Sequence, residues 1–258
     1  IKLGECVDVS AENITSLDSA LATPEIDELF AKFAKELKKV APKANDFLYF
    51  TAVMMHSAER ALLDDDGNPR KDAAGNIVTA HWEKKGKSMK WVCSDPSIKS
   101  YANNNRDIFP EEELIKAHKK WIGKPLCLDH KSSSVDMIRG LIVDAFYDFP
   151  QKRIIALCAL DKKNYPDLAR KVTTGYAASV SMGTGVGTAI CTDCGKCASV
   201  EADFCNHMKN KTCYGEINTD LNPIELSIVV SPADPRARIR RIVASANLLS
   251  KYVDAKEL

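Results

Sequence analysis

The chain has almost no net charge: 36 Lys and Arg stand against 35 Asp and Glu, leaving +1 over 258 residues. That balance supplies neither the broad basic field that nucleic acid needs nor a cationic face for a membrane. Long apolar runs are missing. The best of them, such as Phe47–Met55, is too short to cross a bilayer. No signal-peptide pattern opens the sequence. Aromatics are sparse at 7%, which weakens a reading as a nucleic-acid-binding module with stacking bases. The chain begins at Ile1 rather than Met, which we read as a processed product, a trimmed chain or a fragment.

What is present fits a globular protein of one sizeable domain, or one domain with an accessory piece: 45% of residues are apolar and 28% charged. Nine cysteines are many, and they are unevenly placed. Five fall between Cys191 and Cys213, while Cys6, Cys93, Cys127 and Cys158 are scattered among apolar neighbours. An odd, clustered set without a secretory signal points to metal binding in a reducing, cytoplasmic compartment rather than to a disulfide framework.

The cluster reads Cys191-Thr-Asp-Cys194-Gly195-Lys-Cys197, then Cys205-Asn-His207, then Cys213. Two Cys separated by two residues and followed by Gly form a tight turn aiming both sulfurs at one centre. Zinc takes four tetrahedral thiolate and imidazole ligands. Cys191, Cys194, Cys205 and His207 are the expected set, with Cys197 and Cys213 as alternates. Four protein ligands leave no open position, so the expected zinc is structural. The triple Asp64–Asp66 does not make a calcium loop, because an EF-hand would need a ligand where Leu62 stands.

The periodicity predicts a mostly stranded chain with interspersed helices, an α+β fold or a barrel wrapped by helices. Residues 1–45 read as a tail and a helix that starts at Thr23-Pro24 and ends before Pro42. Strands are expected at Phe47–Met55, Ile77–Trp82, Ser88–Cys93, Pro125–Leu128, Met137–Tyr147, Arg153–Leu160, Tyr176–Ile190 and Ile224–Val230. Short helices are expected from Pro110 and from Pro166 to Thr173. Asp234-Pro235 reads as cap and first position of a final helix over 236–258, with Ile239, Ile242 and Val243 on its apolar stripe. Residues 46–235 are then the main domain, and 190–214 the metal insert.

Two residues invite a catalytic reading. His130 ends an apolar strand and precedes a Ser-rich loop. Ser181 sits in Ala178-Ser-Val-Ser-Met-Gly183, where Gly lets the backbone turn and offer the N–H groups of Met182 and Gly183 to an oxyanion. A serine needs a base to act as nucleophile, and His is the usual one. Taken singly, each residue is more often structural, and Ser179 shares the face of Ser181.

Taken in order, several pieces are similar to the prohead (head-maturation) proteases of tailed phages, distant fold relatives of the herpesvirus assemblins. They are Asn105-Arg-Asp-Ile-Phe109, Gly123–His130, Arg139–Ala145, Val180-Ser-Met-Gly183, the Cys191–His207 cluster and Glu225–Asp234. They span about half the chain. The resemblance implies an assemblin-like β-barrel core flanked by helices, with a zinc-knuckle insertion. It implies a serine endopeptidase with Ser181 as nucleophile, His130 as base and Glu225 as the carboxylate, Asp129 and Asp144 being alternatives. It implies scaffold and major capsid proteins as substrates, with self-cleavage and possible self-association, inside the prohead in the host cytoplasm. The competing expectation is a catalytically silent protease-fold component of the phage head.

Overall fold

The computed structural model describes residues 46–243. The tail and helix expected within 1–45 and the helical residues expected over 244–258 lie outside the described residues. The fold is α+β and dominated by strands. In chain order they are β1 (Phe47–His56), β2 (Ala80–Lys85), β3 (Ser88–Cys93), β4 (Asp107–Ile108), β5 (Pro125–Leu128), β6 (Gly140–Asp148), β7 (Arg153–Asp161), β8 (Ser179–Cys191), β9 (Cys197–Ala198), β10 (Glu216–Val229) and β11 (Ile239–Val243). Three short helices accompany them: α1 (Glu111–Ala117), α2 (Pro166–Thr173) and α3 (Asn206–Lys209).

Nine strands form one sheet in the order β11-β1-β7-β6-β5-β10-β8-β9, with β4 added on β10, while β2 and β3 form a separate hairpin. No closed barrel forms among the described residues. The ends of the path approach one another through the isolated bridge Ser179↔Arg238. Val180 N–H also donates to Ala237 O at 3.1 Å, and Val53 N–H to Arg238 O at 2.9 Å. The core is formed by Phe50, Met54, Leu126, Ile142, Leu160, Val180 and Leu226, and Trp121 in the same cluster is only 1% exposed. Each large apolar side chain so buried contributes about 2–3 kcal/mol. That sum, not strand propensity, fixes the register that places the functional side chains.

The expected strands are found, with shifted ends. β10 starts eight residues before the Ile224 expected from the pattern. Pro223 and two Asn break the alternation there, yet pairing with β8 carries the strand through. The expected helix after Asp234-Pro235 is a misreading for residues 239–243, which form β11 against β1. Asp234 does accept the Arg236 N–H (3.0 Å), and Ala237 N–H donates to Asp234 O. These bonds close a turn, and a turn and a helix start share the same Asp-Pro signature. Ile239, Ile242 and Val243 are β-branched, and the open edge of β1 decides their state.

Candidate active site and metal centre

Three adjacent strands bring the expected catalytic residues together. β10 is the middle one. β8 runs antiparallel on one side of it, with Ser181 opposite Ser227 and Gly183 opposite Glu225. β5 runs parallel on the other, with Cys127 beside Ser227 and Leu128 beside Ile228. Directly opposed residues, and residues two apart, point to the same face. Ser181, Ser227 and Glu225 therefore share a face, and Gly183 leaves a gap in it. A Cβ at Gly183 would lie 2.6 Å from Glu225 Oε1. The glycine of the Ser-Met-Gly stretch thus makes room for the carboxylate. A bulge between Pro223 and Glu225 interrupts the ladder just before that residue and re-aims the strand, as bulges beside functional sites do.

His130 arrives from the end of β5. Asp129 (φ 48°) and His130 (φ 59°) are both left-handed. Such a conformation costs about 1–2 kcal/mol for a residue with a Cβ, and Asp and His are among the types that tolerate it. It turns the chain back over β10. The His130 N–H donates to Ser227 Oγ (3.0 Å), His130 Nδ1 lies 2.7 Å from Glu225 Oε1, and Ser227 Oγ–H donates to Glu225 Oε2 (2.6 Å). Glu225 is 2% exposed and Ser227 0%. A buried carboxylate needs partners, and these two donors supply them. With Nδ1 turned to the acid, Nε2 is the nitrogen left to act on a substrate. The His130 side chain is half exposed, so that nitrogen is accessible.

Ser181 is 6% exposed and lines a cavity of about 120 Å³ together with His130 and Met182. In this conformation no hydrogen bond joins Ser181 to His130. Catalytic bonds of this type often tighten only when substrate arrives. Ser179 sits two pairs further along, opposite Val229 and bridged to Arg238. The alternative acids do not reach His130. Asp144 is buried on β6 with Lys119 Nζ at 3.1 Å, and Asp129 is exposed at the turn.

The same cavity has a second pole that sequence reasoning missed. His56, at the end of β1, is 4% exposed, and its Nδ1 lies 2.8 Å from Asp234 Oδ2. Asp234 also accepts the His56 N–H (3.2 Å), the Tyr101 O–H (2.7 Å) and the Arg236 N–H. Burial lowers the His56 pKa, and nearby Arg153 and Arg60 reinforce this against the pull of Asp234. The Asp234 carboxyl stays below the usual range; burial opposes this, and the donors led by His56 outweigh it. His56 and Asp234 are 178 residues apart, so no local motif joins them.

The metal cluster forms as expected. The ligand atoms of Cys191, Cys194, Cys205 and His207 all lie within 4.8 Å of one another, and Cys191 Sγ is 3.8 Å from His207 Nδ1. Bonds of about 2.3 Å from zinc to sulfur and about 2.0 Å to nitrogen imply similar ligand separations. The alternates stay out of the group. Cys197 Sγ turns to Gly195 O (3.6 Å), and Cys213 is buried against Met208. The insert joins the far ends of β8 and β10, where Cys191 pairs with Glu216. Ser181 is ten residues away along β8, roughly 33 Å at strand rise. A metal held there would brace the ladder at a distance from the cavity.

No family model matches the chain, nor does any curated protein or solved structure. No helix among the described residues is long and apolar enough to cross a membrane.

Proposed function

We propose that the protein is a serine endopeptidase acting through Ser181, His130 and Glu225. The observation that carries this reading is the His130–Glu225 contact at 2.7 Å beside a cavity that Ser181 lines from the neighbouring strand. His130 Nε2 takes the Ser181 proton as Oγ attacks a peptide carbonyl. Glu225 holds the ring through Nδ1 and stabilises the imidazolium that forms. The proton then passes to the leaving amine, and water hydrolyses the acyl-enzyme with His130 again as base. Backbone N–H groups at Met182 and Gly183 are assigned to the developing oxyanion. Ser227 holds the base from two directions, through its main chain and through its acid.

The substrate class rests on the resemblance to prohead proteases: scaffold and capsid proteins, and the enzyme itself, within the phage head. The linkage of the sheet ends at Ser179↔Arg238 supports an assemblin-like ancestry for the core. Zinc is the metal that best suits three thiolates and one imidazole with no open position. In the test, the chain is co-expressed with candidate major capsid and scaffold proteins, as wild type and as Ser181→Ala, and every chain is weighed intact. Trimming by the wild type alone is expected. Trimming by both variants would remove Ser181 as nucleophile. Trimming by neither, with the protein still incorporated into particles, would favour the silent structural component.

A further inference from the structure

The His56 ring has one nitrogen that the protein does not use. Nδ1 belongs to Asp234. Nε2 has no partner among the described residues, and it is not among the fully sequestered atoms that lack one. His56 lines the cavity beside Ser181, and with Nδ1 held by Asp234 the ring nitrogen left for the cavity is Nε2. Asp234 already receives three donors apart from that ring, from the His56 main chain, Tyr101 and Arg236. The carboxylate is therefore satisfied without a positive charge on His56. A neutral ring that gives its Nδ1 proton to Asp234 turns a lone pair at Nε2 to the cavity. Apart from its two histidines, the carboxylic acids lining the cavity are Asp107 and Asp234, while Arg60 and Arg153 lie near His56 but outside the lining. The Asp107 oxygens are bonded by Asn103 (3.0 Å) and Asn218 (2.9 Å). Met54, Phe109 and Met182 supply the apolar remainder. About 120 Å³ accommodates one medium side chain.

We propose that this cavity is a substrate subsite selecting a side chain with an apolar stem and a hydrogen-bond-donating tip, an amide or an ammonium, which His56 Nε2 accepts. The proposal rests on Ser181 being the nucleophile, since that places the subsite next to the scissile bond. Two neighbouring carboxylates disfavour an acidic side chain there, and a purely apolar one leaves Nε2 unpaired. A site built to hydrogen-bond rejects the partner that lacks the bond.

The test uses full-length Ser181→Ala labelled with ¹⁵N-histidine, titrated with capped hexapeptide mixtures. The fourth residue is fixed as Gln, Lys, Glu or Leu, and the others are randomised. The Gln or Lys mixture is expected to bind about tenfold tighter than Leu, with Glu weakest, and to move the His56 Nε2 resonance. Gln against Lys separates the amide from the ammonium. His56→Phe in the same background keeps the ring shape and the main-chain donor to Asp234, and is expected to level the four affinities. Should that variant not fold, the His56 resonance in the parent protein decides. Equal affinities, a silent His56 resonance or no binding of any mixture overturns the subsite. The two readings fail separately. Capsid processing by the wild type with a silent His56 overturns the subsite alone. A His56 response with no processing overturns the protease and leaves a peptide-binding cavity.

Discussion

The two ends of the β8–β10 ladder are held in different ways. At one end Ser181, Ser227 and Glu225 lie on paired strands over the main core, and hydrogen bonds of 2.6–3.0 Å fix His130 above them. At the other end a small group of buried residues, including Ala189, Met208 and Cys213, supports the Cys/His cluster. The first end has a large apolar core to order it, and its polar groups form the proposed catalytic set. The second has little core, and a metal held by the Cys/His cluster would supply the order instead. On the proposed reading, the cysteine-rich segment, the loudest feature of the sequence, serves order, and the chemistry lies at the other end.

The largest disruption of the comparison is expected at the weakly cored end. Cys194→Ser removes one ligand of four and is expected to destabilise the fold by several kcal/mol, lowering Tm by roughly 10 °C, with loss of bound zinc. Calorimetry with metal analysis reads both. An unchanged Tm and zinc content would remove the structural metal. The effect on the chemistry should be smaller than the effect on stability, because roughly 33 Å of strand separates the two ends.

The reverse pattern is expected at the other end. Gly183→Ala puts a Cβ 2.6 Å from Glu225 Oε1 and must push the carboxylate off His130. A displacement of about 1 Å is expected to lower kcat about 100-fold, with KM and zinc content little changed. Steady-state kinetics on a cleaved peptide checks it. Ser227→Ala comes next. It strips a donor from Glu225 and an acceptor from the His130 N–H, for about 1–2 kcal/mol and a roughly tenfold fall in kcat. Ser227→Thr, which keeps the hydroxyl, is expected to recover part of the loss.

The smallest effect is that of pH on stability at the second pole. The folded state keeps His56 neutral because its pKa is lowered from 6.5. The unfolded chain takes up that proton below about pH 6.5, so the contribution is complete above that value and is lost as pH falls towards the folded pKa. The slope is at most about 1.4 kcal/mol per pH unit. Asp234, lowered from 3.8, contributes above that value and loses its contribution as pH falls through its folded pKa. Thermal melts between pH 7.5 and 5.5 are expected to show Tm falling by a few degrees, and His56→Phe is expected to flatten that trend.

Much of this comparison was legible in the residues, for physical reasons that differ by region. The candidate ligands Cys191, Cys194, Cys205 and His207 lie within seventeen residues, so spacing marked the cluster, but it left Cys197 and Cys213 open as alternates and only the folded geometry separates them. His130, Ser181 and Glu225 are far apart: local context marked His130 and Ser181, and the resemblance joined them and added Glu225. Ser227 lay within a quoted motif without a role, because its role exists only once β5 and β8 flank β10. His56 gave no signal at all: it ends a buried strand, and its partner Asp234 reads as a helix cap. β11 was misread because Ile239, Ile242 and Val243 suit a helical stripe as well as a strand, and only the free edge of β1 distinguishes the two.

The central claim is that His130 and Glu225 activate Ser181. It is tested most directly by treating the folded chain with a fluorophosphonate and locating the adduct by intact-mass and peptide mass spectrometry. Oγ attack at phosphorus with loss of fluoride marks an activated serine. The account predicts one adduct, on Ser181, slowed at least about 100-fold in both His130→Ala and Glu225→Gln. An adduct on another serine, or labelling of Ser181 at the same rate without His130, would contradict it.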